Sequence, residues 1–370
     1  MIKIKSPVLR RLAAGIACTL LLCACDGNTS VFSSEIPREM QSAALPAVVL
    51  SPDRAGVPEM PVSIDDAPPV RDTITVNFIG DVMLAAENGD DGFWSFNLFA
   101  YDTPAEYYFE KMLPLFSADD WTVANCENVF TDEENPTKTE KDEETGYWYY
   151  SGTENAEIFA SGGIEIASLA NNHALDYGIA GRDDTVLALE AAGVTAVTEG
   201  KSVILEKSGV RVALLCISMY SEYYLTPILD WLAEAAETSD FQIVYYHGGT
   251  ERVHTADEWR VRASRAMVDA GADLVLGNHP HVLQPIEHYN GVDIVYSLGN
   301  FLFGGSHTCE NRTMVYTLTL DITDGVISGV TGDVTPCYCY GELWQPAVIA
   351  DADECEAVLS FLRGERETPF

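Results

Sequence analysis

Two histidines one residue apart, His279 and His281, follow directly on the apolar run Leu274-Val275-Leu276 and flank Pro280. Short apolar runs bounded by Gly and Pro read as buried strands. The spacing therefore places both imidazoles on the loop past a strand's carboxyl end, where open α/β sheets bind ligands. Neutral imidazole is the commonest metal ligand, and the proline restricts the backbone so that the two rings can converge on one ion. An H-x-H alone is a weak signal, but four further strand-like runs also deliver ligand-type residues. Residues 74–79 run into Gly80-Asp81, residues 121–126 into Glu127, and residues 164–170 into Asn171-Asn172-His173-Ala174-Leu175-Asp176. Residues 241–246 run into His247-Gly248-Gly249-Thr250-Glu251. Plainer readings exist, since an Asp after a strand serves many turns and an Asn can be only a helix cap. An amide, an imidazole and a carboxylate emerging together before a helix are harder to dismiss.

The elements that must hold these loops read as an alternation of strands and helices. Residues 104–116 predict a helix with Pro104 early, where its missing N–H does no harm. The aromatic stretch from Phe93 to Tyr101 reads as a layer covering the core. Residues 131–150 are polar, acidic and then aromatic, an excursion loop in which Lys138 and Lys141 are rare cations that could meet an anion. A helix over 181–192 stops at Gly193. Residues 203–205 and 210–217 form a hairpin-like pair, and a helix follows near 226–236. Thr255-Ala256-Asp257-Glu258 has the capping-box pattern and starts a helix to Ala270. Asn290-Gly291 and Asp324-Gly325 mark hairpin turns, and a short helix is expected near 354–363.

The chain begins with a basic segment holding Lys3, Lys5, Arg10 and Arg11, followed by an apolar stretch too short for a comfortable membrane span, which reads as a secretory signal. Leu22-Cys23-Ala24-Cys25 resembles a bacterial lipobox, which implies lipidation of Cys25 and anchoring to the outer face of the cell membrane. Residues 26–72 are rich in Pro, Ser, Ala and acidic residues and read as a disordered tether, with an end-to-end reach on the order of 40 Å. Residues 73–336 are long enough for one large domain, with 337–370 as a C-terminal extension. A formal net charge of −36 repels a phosphate backbone and excludes nucleic acid as a partner. An anionic substrate would need a local cation, which a metal supplies. Of nine cysteines, Cys18, Cys23 and Cys25 lie in the signal, and Cys126 and Cys216 lie in apolar runs. Cys309, Cys337, Cys339 and Cys355 could pair outside the cytosol, in a pattern that spacing does not settle.

Gly80 to Leu84, Ala124 to Glu127, Leu169 to Gly178, His247 to Glu251, Gly277 to Gln284 and Ser297 to Phe301 together resemble the CapA family of bacterial capsule synthesis proteins over about residues 73–336. That family is associated with poly-γ-glutamate capsule formation and is similar to the calcineurin-like metallophosphoesterases. The resemblance implies an α/β fold, a metallophosphoesterase-like β-sandwich flanked by helices in four layers, α/β/β/α. It also implies that Asp81 and His281 hold one ion, that Asn172, His247 and His279 hold a second, and that Glu127 bridges them. His173 would stabilise or protonate a leaving group, oriented by Asp176. Oxygen and nitrogen ligands of this kind suit Mn, Fe or Zn. Met83 stands where phosphoesterases of this fold carry a histidine, and Glu127 where they carry an aspartate, so one or two ions are implied. Two functions follow as expectations. One is a metal-dependent hydrolase or transferase acting on an anionic polymer or phosphorylated precursor. The other is a non-catalytic polymer-binding or export component of a membrane capsule synthesis complex.

Overall fold

The computed structural model describes residues 48–51, 69–90, 92, 95–141, 146–305 and 310–370. The signal segment with Cys25, most of the expected tether and Cys309 lie outside the described residues. Two large sheets face each other. In the seven-stranded sheet the order is Val48–Leu50, Lys201–Lys207, Val210–Ser218, Phe241–His247, Leu274–Asn278, Val292–Leu298 and Leu283–Tyr289. In the eight-stranded sheet the path runs Gln345–Val348, Val326–Glu342, Arg312–Thr323, Arg71–Met83, Trp121–Cys126, Ile166–Ser168 and Thr195–Val197, with Asn300–Phe303 paired to Arg71–Met83 off that path. The central strands of both sheets are parallel and buried on both faces, which explains their nearly unbroken apolar sequences.

Side-chain alternation decides which residues meet between the sheets. Ile74, Val76, Phe78, Trp121, Val123 and Ile166 from one sheet pack with Val212, Leu214, Ile243, Tyr245, Leu274 and Leu276 from the other. On the outer face of the larger sheet, Val82, Ala124, Cys126 and Ala167 pack with Phe96, Phe109, Phe116, Phe159 and Leu189 of the covering helices. The helix Glu258–Asp269 packs on the Leu274–Asn278 and Val292–Leu298 strands and against the helix Leu225–Ala235. The result is the four-layer α/β/β/α arrangement of a metallophosphoesterase-like sandwich. No helix among the described residues is long and apolar enough to cross a membrane.

Several local expectations are corrected. Residues 104–116 form two short helices, Glu106–Phe109 and Leu113–Phe116, because Pro114 cannot donate into a continuous helix and its ring clashes with the preceding turn. The helix expected from Thr255 begins at Glu258, and the Asp257 carboxylate caps nothing, accepting instead from Thr250 N (3.0 Å) and Thr250 Oγ1 (2.6 Å). Inside the expected tether, Val48–Leu50 forms an edge strand parallel to Val203, Ile204 and Leu205. The C-terminal extension beyond Pro336 is continuous with the sandwich. The strand Val326–Glu342 runs through that boundary, and Val358, Phe361 and Leu362 of the helix Ala352–Leu362 enter the inter-sheet core. Cys126, Cys216, Cys337 and Cys355 are free thiols.

Candidate metal centre

A bulge sets the geometry of the first loop. In the strand Arg71–Met83 the even residues 74, 76 and 78 face the inter-sheet core, but Val82 and Leu84 face the helices, because the register with Trp121–Cys126 shifts between Phe78 and Asp81. A bulge re-aims the residues that follow it. Asp81 therefore lies within the strand, two residues before its end, and turns into the cleft between the sheets. Gly80 is required there: a Cβ would stand 1.8 Å from Gly299 O, where the two backbones cross. On the neighbouring strands the alternation simply continues. Trp121 and Val123 lead to Asn125 and Glu127, and Phe241, Ile243 and Tyr245 lead to His247. The inward positions at the carboxyl ends of the strands are thus polar where the positions before them are core.

These residues converge. His281 Nδ1 lies 3.1 Å from Asp81 Oδ2 and its Nε2 lies 3.7 Å from Glu127 Oε1. His247 Nε2 lies 3.4 Å from Glu127 Oε1 and 2.7 Å from Asn172 Oδ1, and His279 Nδ1 lies 3.0 Å from His247 Nε2. Asp81, Glu127 and His281 form one group able to hold an ion, Glu127, His247 and His279 another with Glu127 common to both, and Glu251, His279 and His281 a third at the exposed side. His279 (φ 93°) and His281 (φ 59°) both occupy left-handed backbone, which costs about 1–3 kcal/mol each and turns the two rings to a centroid separation of 5.7 Å across Pro280.

The fit to a divalent ion can be judged on Glu127. It is fully buried, yet neither carboxylate oxygen has a hydrogen-bond partner among the described residues. An orphaned buried carboxylate is costly unless something with positive charge meets it. In the metal-free protein that charge comes from the imidazoles. Burial would lower both, but Glu127 and Asp81 outweigh it, raising His247 to about 9 and His281 to about 10. Burial likewise pushes the Asp81 carboxyl up, but hydrogen bonds with His247 and His281 hold it well below the usual range. Burial and the charge on its two neighbours leave His279 well below 6.5, a neutral ring. Ions entering this site displace protons from the histidines.

His173 and Asp176 form a separate pair beside this cluster. Asp176, fully buried, accepts from Tyr149 N (2.8 Å) and faces His173 Nδ1 at 2.8 Å, while His173 Nε2 carries no hydrogen bond among the described residues. Lys141 was expected as a contact for an anion. Its ammonium is already committed, donating to Asp176 Oδ1 and to Tyr147 O (2.7 Å), so it neutralises the buried carboxylate. Lys138 donates to Asn88 Oδ1 and lies over the Trp148 ring. Met83 packs with Ala85, Tyr149, Phe303 and Cys339 in a small apolar cluster. Phe303 from that cluster lies against His281, and Tyr149 against His173.

Amides surround the ligands, and Asn171 stands in the run 171–176 already marked by its residue types, whereas Asn125 and Asn300 do not stand out in the sequence. Asn171 is fixed by two backbone contacts, its Oδ1 accepting from His173 N and its Nδ2 donating to Cys126 O. It therefore presents Nδ2 to Asn125 Oδ1 (3.1 Å), and Asn125 in turn donates to Asp81 Oδ1 (2.8 Å). Asn300 Oδ1 lies 2.8 Å from His281 Nδ1. Tyr220 lays its ring edge-on to His279 and donates to Asn172 Oδ1 at 3.4 Å.

Residues 75–305 match the bacterial capsule synthesis protein family PGA_cap. The chain belongs to this family. Among its curated relatives, the PGA biosynthesis protein CapA of Bacillus subtilis is 30% identical over 271 residues, covering 67% of this chain and 68% of that one. The capsule biosynthesis protein CapA of Bacillus anthracis is 28% identical over 277 residues, covering 67% of this chain and 64% of its own length. A probable polyglutamine synthesis accessory protein of Mycobacterium tuberculosis is 28% identical over 203 residues, covering 44% and 53%. The PGA_cap match covers every strand-end loop described above, and it ends just past the Asn300–Phe303 strand. The metallophosphoesterase-like character of the family agrees with two ion-holding groups that share one carboxylate.

Proposed function

We propose that this chain is a surface-anchored, metal-dependent hydrolase or transferase acting in the biogenesis of poly-γ-glutamate or a related anionic polymer. Its partners would be that polymer or a phosphorylated precursor, together with membrane-bound synthesis machinery, reached through a lipid on Cys25. The observation that carries the reading is the Glu127 carboxylate, buried among histidines and without a hydrogen bond among the described residues.

Asp81 and His281 would hold one ion, Asn172, His247 and His279 a second, and Glu127 would touch both. Divalent Mn, Fe or Zn bound there supplies Lewis acidity and makes water a stronger nucleophile at neutral pH. His173, held through Nδ1 by Asp176, keeps Nε2 for proton transfer to a leaving oxygen. Asp176 and Lys141 fix the ring so that this nitrogen keeps its orientation. The neighbouring apolar cluster of Met83, Tyr149 and Phe303 keeps water away from one side of both histidines.

A second reading, a non-catalytic polymer-binding or export component, is favoured by Met83, which supplies an apolar contact where a further ligand would strengthen the first ion site. Metal content per chain, followed by hydrolysis of simple phosphoesters and of poly-γ-glutamate, separates the two. His173→Ala is expected to keep its metal and lose about 10²- to 10⁴-fold in turnover. A metal-loaded protein that binds polymer without turning over, with His173→Ala unchanged in binding, would establish the second reading instead.

A further inference from the structure

In two of the three imidazoles both nitrogens face carboxylates or amides of the cluster. His247 turns Nε2 inward, and its Nδ1 lies 3.1 Å from Asn125 Nδ2. His281 turns Nε2 toward Glu127, and its Nδ1 lies 2.8 Å from Asn300 Oδ1 and 3.1 Å from Asp81 Oδ2. His279 differs: Nδ1 faces His247 at 3.0 Å, and Nε2 lies 3.9 Å from Glu251 Oε1.

That distance is too long for a hydrogen bond; the Glu251 side chain is 48% exposed, and a change of its rotamer would be needed to close the gap. Its backbone is fixed for the purpose. Thr250 before it is clamped by Asp257, and Arg252 after it donates its N–H to Pro280 O (2.8 Å), the carbonyl between the two histidines. Arg252 holds a left-handed φ of 59° to make that contact, a strained conformation for a side chain of its size. The loop after His247 is thereby tied to the loop that carries His279, with a carboxylate presented across the gap.

A neutral imidazole that gives its Nδ1 lone pair to an ion carries its proton on Nε2, and metal-bound histidines regularly donate that proton to a carboxylate, which fixes tautomer and ring. We propose that Glu251 is the positioning carboxylate of His279, accepting the Nε2 proton and so directing Nδ1 at the ion shared with His247, Asn172 and Glu127. This rests on the metal reading above. His281 does not compete for the role, because both of its nitrogens already face Asp81, Asn300 or Glu127.

The test is calorimetric titration of the full-length chain, first stripped with chelator, using Zn²⁺ and separately Mn²⁺, for the native protein, Glu251→Gln and Glu251→Ala. Glu251→Ala is expected to weaken one of two equivalents by about 10- to 100-fold. Glu251→Gln, which keeps an acceptor oxygen without the charge, should lose less. The other equivalent and the melting temperature of the metal-free forms should not move, which separates positioning from damage to the fold. Two native equivalents unchanged in both variants would overturn the assignment and leave the metal reading standing. Loss of a distinct third equivalent would also overturn it, by placing an ion among Glu251, His279 and His281. A native protein that binds no ion would overturn both.

Discussion

At the amino ends of the parallel strands, acidic residues are clips, whereas at the carboxyl ends the same chemistry is left open. Asp120, Glu165, Asp240 and Asp273 each sit one residue before a strand. Each accepts a backbone N–H from the neighbouring strand: Thr75 (3.0 Å), Thr122 (2.7 Å), Arg211 (2.9 Å) and Gln242 (2.8 Å). Each also donates its own N–H to the carbonyl of that same neighbour. The clip closes a two-way bridge that the ladder has not yet begun to supply. Glu127 follows a strand, has no such donor, and is ringed by imidazoles. A carboxylate at the sheet's rim that accepts a strand N–H ties two strands together; a fully buried one without such a donor is shaped for a ligand that brings positive charge.

The comparison is broken most severely at Glu127. Glu127→Ala should abolish stoichiometric metal uptake at the buried centre, with affinity falling by at least about 100-fold, since the residue belongs to two of the three ion-holding groups. Metal added to the native protein should raise its melting temperature by mass action, and the variant should show no such rise. A variant that still binds two ions with native affinity would show that Glu127 is merely an unsatisfied core residue. At the other end, Lys207→Ala should leave metal uptake untouched but destabilise the fold by about 3 kcal/mol in urea unfolding. The Lys207 ammonium, only 8% exposed, lies 2.7 Å from Asp120, and removing it strands that carboxylate. A loss below about 1 kcal/mol would place the pair among ordinary surface bridges.

How much of this was legible in the sequence depends on the distance over which a feature is decided. Strand-end loops carrying Asp81, Glu127, Asn172, His247, His279 and His281 are local patterns, and the fold brings those same loops together. The inversion at Asp81 was not legible, because a bulge depends on the register of a partner strand some forty residues away. Lys141 looked free for an anion because its carboxylate, Asp176, lies 35 residues on. Asn125 had a readable signal in its two-residue spacing from Glu127, which puts both on the inward face, but an amide inside an apolar run is easily taken for core. Glu251 stands in the same strand-end run as His247 and Asn300 in a run that carries the family resemblance, but their places beside His279 and His281 depend on contacts between loops that neither run fixes. The Val48–Leu50 strand was hidden by the prolines around it, although Val48-Val49-Leu50 is itself an apolar run.

The smallest effect sharpens the comparison by asking what a clip costs. Burial pushes the Asp273 carboxyl up to about 6, and the hydrogen bond from Gln242 N only partly opposes this. An acid whose folded-state pKa lies above its unfolded value binds protons more tightly when folded. Between about pH 4 and pH 6 the native protein therefore loses stability at this position as pH rises, and above that the loss is complete. Asp273→Asn keeps an oxygen for Gln242 N and removes the charge. Against the native protein it should gain about 1 kcal/mol at pH 7.5 relative to pH 4.5, because remaining hydration of the carboxylate screens much of the burial cost. Urea unfolding at the two pH values, taken as a difference between the proteins, cancels the titration of the histidine cluster. A variant that gains nothing at pH 7.5 would mean that the Gln242 hydrogen bond fully offsets burial, and that clips at the amino ends carry their charge without cost.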